Sequence, residues 1–306
     1  MGNNLTPYDF MSTEEWLGLQ QSMLIYSFFI AFIALFIAWK NLFFQVPPVQ
    51  KNAPSLSFYR MLGAFLVYII IQLLVIPLFL LGITIKGLIS GEKMVTMSAF
   101  LVNWLHIAAI FLSMLVIIFY LNRPGKIILK QLFWKKGSFF KDVILPFLYG
   151  TLSVLIALPV VKFLGSSIAL IVFHFFHYME PEQLIVKVLK ALIDTPLLFS
   201  LFAFAIIVLI PFIEEVLFRG FLQTYLNEKW GKKVSYLLSA LVFAFFHFEY
   251  SLGIGNIEVL SSLFVIGLFL SHLKEKKGTL WAPIGLHASF NALSILALML
   301  GFENVA

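Results

Sequence analysis

Six polar side chains of the types that carry out hydrolysis interrupt three apolar stretches in the C-terminal third of the chain. They are Glu214, Glu215, Arg219, His247, His287 and Asn291. An ionisable group in lipid costs a few kcal/mol, roughly 3 on insertion scales, so such residues are usually kept for pairing or for function. A glutamate in a water-poor site can act as a general base toward water, while His and Asn orient that water or stabilise an oxyanion.

The spacing of these residues separates a structural pair from a reactive group. Glu215 and Arg219 stand at i and i+4 and can form an ion pair on one helix face. Glu214 is rotated by about 100° around the helix and cannot share that geometry, so we expect it to act as the base. His287 and Asn291 share a face by the same i, i+4 rule.

A divalent metal is the competing use of these side chains. A catalytic zinc site takes three protein ligands and a water, which His247, His287 and either Glu214 or Glu215 could supply. If Glu215 were the zinc ligand, it could no longer pair with Arg219. If Glu214 were the zinc ligand, no separate glutamate would remain to act as the general base. We therefore expect that no cofactor is required, with zinc as the alternative.

Composition places these residues in a membrane protein. The 306 residues are 61% hydrophobic and only 12% charged, with 35 Phe and no Cys, which excludes a cytosolic globule, a disulfide scaffold and thiolate chemistry. The net charge of +6 comes with no nucleic-acid-binding motif, so we expect no nucleic-acid partner. The prediction is an all-α, multi-pass integral membrane protein.

Apolar stretches bounded by charge predict about eight transmembrane helices. Their approximate ranges are 22–39, 61–85, 97–121, 143–176, 196–227, 233–248, 257–273 and 279–302. We divide the chain into an N-terminal segment (1–21), four N-terminal helices (22–176), an amphipathic interfacial segment (177–195) and a core of four helices (196–303). A capping box of Ser12 and Glu15 is expected to start the first helix.

The distribution of Lys and Arg predicts the orientation. With both termini on the non-cytoplasmic side, 16 of the 21 Lys and Arg fall on the cytoplasmic half, as the positive-inside rule requires. The fifth and sixth spans then form a hairpin that turns near residues 229–232. Glu214 and His247 each lie about 16 residues from that turn, so both reach a depth of roughly 24 Å. His287 and Asn291 lie close to the same level.

The ordered motifs Glu214-Glu215-x-x-x-Arg219, Phe243-x-x-x-His247 and His287-x-x-x-Asn291 resemble the CAAX protease and bacteriocin-processing family of intramembrane proteases, which includes the type II CAAX prenyl endopeptidases. The similarity covers roughly residues 196–303. It implies an endopeptidase that cleaves membrane-embedded or lipidated, CAAX-like substrates within the bilayer. The membrane would be the bacterial cell membrane or, in a eukaryote, the endoplasmic reticulum.

The resemblance also implies roles for single residues. Glu214 would activate water with help from His247, His287 and Asn291 would stabilise the oxyanion, and Glu215, Arg219 and Phe243 would support the site. Two other functions stay open: a non-catalytic scaffold or bacteriocin-immunity protein, and a proton-coupled transporter. A scaffold has no need of costly polar residues in lipid, and a transporter usually shows an internal repeat, which the sequence lacks.

Overall fold

The chain folds into a bundle of helices. A computed structural model describes residues 12–47, 56–90, 99–121, 132–135, 137–179 and 183–300, and within these ranges it contains no β-strand. The α-helices are α1 (Thr13–Lys40), α2 (Phe58–Ser90), α3 (Ala99–Leu121), α4 (Leu145–Phe176), α5 (Leu184–Leu192), α6 (Pro196–Phe204), α7 (Ile210–Glu214), α8 (Gln223–Phe245), α9 (Asn256–Lys277) and α10 (Trp281–Met299). The all-α, polytopic class predicted from composition is confirmed.

Within the described ranges, three π-helical segments and one 3₁₀ segment adjoin these helices. They are the π-helices Phe140–Ile144, Ala205–Leu209 and Glu215–Leu222 and the 3₁₀-helix Tyr250–Gly255. We call Glu215–Leu222 the site π-helix. Residues 1–11 and 301–303 of the predicted segments lie outside the described residues.

The described residues contain seven helical segments long and apolar enough to cross a membrane, rather than the eight predicted. The difference lies in the segment Pro196–Phe245, which spans 50 residues and takes up both the fifth and the sixth predicted spans. This segment reverses direction at Gly231, whose φ of 78° is left-handed. Beyond the turn, Ser239 Oγ donates to the carbonyl oxygen of Phe218 at 3.1 Å. The predicted hairpin near residues 229–232 is therefore present.

Helix ends in the structure carry the expected caps. Ser12 Oγ accepts from the backbone N–H of Glu15, and the Glu15 carboxylate accepts from the N–H of Ser12, which confirms the predicted capping box. Nearer the C-terminus, α9 stops at Gly278, which adopts a left-handed φ of 66°.

The short α5 has Leu189 and Leu192 buried and Leu184 exposed, as expected of an amphipathic helix too short to span a bilayer.

Helices α4 and α10 approach each other so closely that two glycines are required. A Cβ at Gly150 would stand 1.8 Å from the carbonyl oxygen of Ala282, and one at Gly285 would stand 2.3 Å from that of Phe147. Small residues at such contacts let membrane helices pack backbone to backbone. This contact fixes the position of His287, which follows Gly285 by two residues on α10.

The core lies around the site π-helix, where every side chain from Glu215 to Leu222 is buried. Large apolar side chains on α1 and α2 face outward instead; Phe29 is 60% exposed and Leu73 is 65% exposed. An apolar outer surface and a core that contains charged groups are the pattern expected where lipid, not water, surrounds the bundle.

Candidate active site

The two acidic residues lie where the backbone changes its helical repeat. Glu214 is the last residue of α7 and Glu215 the first of the site π-helix. A second π-helix, Ala205–Leu209, ends just before α7, and Pro211 lies between the two. Proline lacks the N–H that would close a helical hydrogen bond, and π-helical turns are frequent at functional sites. The carboxylates therefore lie on an irregular stretch held in place by its neighbours.

Asn291 compensates for this irregularity. In a π-helix, the carbonyl of Ile206 would accept from the N–H five residues later, but that position is Pro211. Asn291 Nδ2 donates to this carbonyl oxygen instead, at 2.8 Å. One of the two amide N–H groups of Asn291 is thus committed to the backbone.

Glu215 connects three helices through its buried carboxylate. Arg219 Nη1 donates to Glu215 Oε1 at 3.2 Å, and both side chains are completely buried. The same oxygen accepts from His287 Nδ1 at 2.9 Å, and Arg219 Nη2 reaches the carbonyl oxygen of Gly267 on α9 at 3.3 Å. The predicted i, i+4 pair is present, and it also carries a histidine contact that spacing alone did not indicate.

These contacts fix which nitrogen of each imidazole can accept. A carboxylate can only accept, so His287 Nδ1 carries the hydrogen, and Nε2 of the neutral ring is left with a lone pair. His247 Nδ1 likewise donates to the carbonyl oxygen of Phe243 at 2.9 Å, which leaves its Nε2 as the acceptor. Both Nε2 atoms point toward Glu214.

Glu214 lies between the two histidines. Its Oε1 is 3.9 Å from His247 Nε2 and its Oε2 is 3.7 Å from His287 Nε2. These separations are too long for direct hydrogen bonds, and Oε2 is buried without a protein partner. Three polar groups gathered around Glu214 at these separations suit a small bridging species such as a water, which can donate to two of them.

Phe243 forms the apolar wall behind these groups. The Arg219 guanidinium lies over its ring, with Cζ 4.3 Å from the centroid, and the rings of His247 and His287 lie 4.8 and 5.7 Å away. Phe243 is itself 1% exposed. The ring therefore contacts the guanidinium and both imidazoles and restricts their orientation.

His247 is the most exposed of the three groups that meet at Glu214. The side chains of Glu214 and His287 are 12% and 7% exposed, whereas that of His247 is 32% exposed. Phe246 and Phe248, which flank His247 in sequence, are exposed apolar side chains. Among the described residues, the side of the site at His247 is therefore more accessible than the Glu214 and His287 side chains, and its surroundings are apolar.

Tyr68 on α2 was not selected by the sequence analysis. It is largely buried and lies within electrostatic range of Glu214. Aromatic residues are common in membrane helices, and no spacing rule links α2 to the later motifs. The proximity of Tyr68 to Glu214 therefore becomes visible only in the folded structure.

A zinc ion is compatible with the donor types but not closely with their spacing. Ligand atoms of a tetrahedral zinc site, with bonds of about 2.0–2.2 Å, lie about 3.3–3.6 Å apart. The separations from Glu214 are 3.7 and 3.9 Å, and within the described part of the chain no group of three such side chains stands in metal-binding geometry. Glu215 is occupied by Arg219 and His287, so Glu214 is the carboxylate ligand that the geometry allows.

The comparison with known families bears on this segment. Residues 196–293 match the family model described as type II CAAX prenyl endopeptidase Rce1-like. These helices are therefore similar to that family. The match contains all three motifs, and it confirms the resemblance drawn from them. Helices α1 to α5 lie outside the Rce1-like segment.

A curated relative matches over a longer stretch. It is an uncharacterized 24.3 kDa protein of Escherichia coli, 27% identical over 158 residues, which are 51% of this chain and 65% of the relative. This chain thus spans about 65% of the length of the relative that it matches. No solved structure matches the chain. The activity and substrates of the whole protein are therefore matters for proposal.

Proposed function

We propose that the protein is an intramembrane endopeptidase that hydrolyses peptide bonds of membrane-associated or lipidated, CAAX-like substrates. The observation that carries this proposal is the position of Glu214, whose two carboxylate oxygens face the Nε2 atoms of His247 and His287. The Rce1-like match of residues 196–293 supports the same reaction class.

The arrangement suggests how water would be activated. A water among Glu214, His247 and His287 donates its hydrogens to two of the three acceptors, which turns an oxygen lone pair toward the substrate. As that oxygen bonds to the scissile carbonyl carbon, its proton passes to Glu214 and the carbonyl oxygen becomes an oxyanion. Glu214 then returns the proton to the amide nitrogen as the carbon–nitrogen bond breaks.

Neighbouring side chains orient the reacting groups and compensate their charge. Glu215 holds His287 through Nδ1, and Arg219 neutralises Glu215, so a second carboxylate lies near Glu214 with its charge compensated. The family resemblance implies His287 and Asn291 as the oxyanion-stabilising residues, and the second amide N–H of Asn291 is the donor that Asn291 would contribute. Replacing any of these groups would alter the orientation of the reacting groups but would leave the base, Glu214, in the protein.

Substrate access is proposed to be lateral, past His247. Seven apolar helical segments support a multi-pass membrane protein, and the side of the site at His247 carries exposed Phe246 and Phe248. A peptide tethered by a lipid chain or a membrane helix would reach this rim from the bilayer. A soluble peptide without such an anchor would reach it less often.

Replacement of Glu214 by Gln tests the function. The change preserves size and hydrogen bonding but removes the base, so the reconstituted protein should lose cleavage of a farnesylated CAAX-type peptide by more than about 10²-fold while staying folded. Glu228→Gln is the matched control, because that carboxylate accepts from the N–H of Leu56, remote from the site. If no farnesylated peptide is cleaved, membrane peptides that accumulate uncleaved in cells carrying Glu214→Gln identify the substrate. Near-normal turnover by Glu214→Gln would reject the assignment.

Chelation separates the water mechanism from the metal alternative. We propose a metal-independent glutamate protease, which retains activity after exhaustive chelation and contains no stoichiometric metal by elemental analysis. In the alternative, His247, His287 and Glu214 hold zinc, which supplies a Lewis acid and a water of lowered pKa. Activity lost on chelation and restored by zinc, but not by added lipid or detergent, would establish that alternative.

A further inference from the structure

The Rce1-like helices bring more acceptors than donors to the reacting centre. Glu214 and the Nε2 atoms of His247 and His287 are acceptors, and the Nδ1–H groups of both histidines are used elsewhere. One N–H of Asn291 is bonded to Ile206. The oxyanion formed during hydrolysis is stabilised by donors aimed at it. A hydroxyl from outside this set that faces Glu214 would add such a donor.

Helix α2 forms the opposite wall of the site and runs antiparallel to the acid-bearing segment. The N–H of Leu56 donates to Glu228 at 3.1 Å, and the ring of Phe58 lies 5.9 Å from that of Tyr225. One face of α2 continues this contact, because Met61, Ala64 and Phe65 are buried. As residue numbers rise along α2, the numbers of the contacted residues fall.

Phe65 fixes the register at the level of the site. Its ring packs edge to face on that of Phe218, with centroids 5.3 Å apart, and lies 5.7 Å from that of Phe246. Tyr68 follows Phe65 by three residues, which is about 4.5 Å along α2. Glu214 precedes Phe218 by four residues, which is about 6 Å in the same direction, because the two segments are antiparallel. Tyr68 thus lies opposite Glu214 at one depth, and the two groups interact electrostatically.

We propose that Tyr68 is a catalytic residue that donates its phenolic O–H to the carbonyl oxygen of the scissile bond. This inference rests on the proposed peptidase function and places part of the site outside the Rce1-like segment. A phenol is protonated at neutral pH because its ordinary pKa is near 10, so it serves as a neutral donor without a proton transfer. The peptide carbonyl then lies between α2 and α7, with its carbon toward the water at Glu214 and its oxygen toward Tyr68.

Tyr68→Phe tests this role because it retains the ring and removes only the hydroxyl. With the farnesylated CAAX-type peptide, or with the peptide found to depend on Glu214, kcat should fall by about 10²-fold while KM changes little. The thermal unfolding midpoint should stay at the wild-type value. A peptide aldehyde, whose hydrate mimics the tetrahedral intermediate, should lose affinity by a similar factor.

Tyr120→Phe is the matched control. Its hydroxyl donates to the carbonyl oxygen of Arg60 at 3.0 Å, also on α2 but away from Glu214, so the variant should lose stability and keep kcat. A Tyr68→Phe variant with kcat within about twofold of wild type would overturn the inference. If Glu214→Gln is inactive at the same time, the proposed function survives and only the role of Tyr68 fails. If both variants are active, the peptidase proposal itself fails.

Discussion

Asn291 Nδ2 donates to the carbonyl oxygen of Ile206 across 85 positions of sequence, in place of the N–H that Pro211 lacks. This bond attaches α10, which carries His287, to the segment that leads into Glu214. The distance between base and imidazole therefore depends on a hydrogen bond that belongs to neither of them.

Asn291→Ala should lower the free energy of unfolding by about 1–3 kcal/mol, because the Ile206 carbonyl loses its partner in a region where water is scarce. Asn41→Ala is the control: Asn41 Nδ2 also donates to a backbone carbonyl at 2.8 Å, but on an exposed helix end where water can substitute. Thermal unfolding in detergent measures both. Equal midpoints for the two variants would show that the Asn291 bond has no special weight.

Arg219→Ala should cost about 3–5 kcal/mol and reduce the folded yield, because it leaves the Glu215 carboxylate buried without its compensating charge. Lys274→Ala provides the comparison, since the Lys274–Glu275 pair is close at 2.8 Å but its side chains are 14% and 11% exposed rather than completely buried. Its loss should cost less than the loss of a fully buried partner, because water can still reach the remaining carboxylate. Membrane yield and thermal midpoint are the readouts, and an Arg219→Ala variant as stable as Lys274→Ala would contradict the structural role of the ion pair.

Gly150→Ala should reduce stability and activity together. The added methyl group meets the backbone of Ala282 rather than a flexible side chain, so α4 and α10 must separate and His287 must move. Gly18→Ala introduces the same methyl group on α1, where nothing lies within 4 Å. That control should be neutral or slightly stabilising, by up to about 1 kcal/mol from helix propensity. Retained activity in Gly150→Ala would mean that the two helices can slide without displacing the site.

The orientation in the membrane can be tested with tags. The concentration of Lys and Arg on one side predicts that tags at both termini are reached by impermeant reagents from the non-cytoplasmic face, while a tag after Arg123 is reached from the cytoplasm. Protease protection of sealed vesicles gives the answer. Labelling of the two termini from opposite faces would refute an even number of crossings.

The convergence of Glu214, His247 and His287 could be predicted because depth in a hairpin follows from counting residues. Charged residues mark the turns between helices, and the number of residues between a turn and a side chain gives the depth of that side chain. The helical period decides which residues share a face. The structure places Nε2 of His247 and Nε2 of His287 within 3.9 Å of the Glu214 carboxylate. Counting could not reveal that Glu215 serves His287, since this depends on side-chain torsion angles.

Other features could not be predicted from the sequence, because they depend on breaks in regular helix geometry or on packing between residues far apart in the chain. A π-helix has no composition signal, so the pairing of Ile206 with Asn291 could not be read from spacing. His272 near the end of α9 is buried and donates to the carbonyl oxygen of Phe43, a partner 229 positions away that spacing could not indicate. Tyr68 belongs to a helix that shares no motif with the site.

The π-helical backbone at Glu215–Leu222 bears on how the chain tolerates a change of length. A π-helical turn holds one residue more than the α-helical turn that would replace it. Loss of one apolar residue within this stretch should therefore return one turn to the α-helical form and leave the orientation of the flanking helices nearly unchanged. Loss of one residue within the regular helix α9 has no such compensation, and it would rotate the two parts of that helix by about 100° relative to each other.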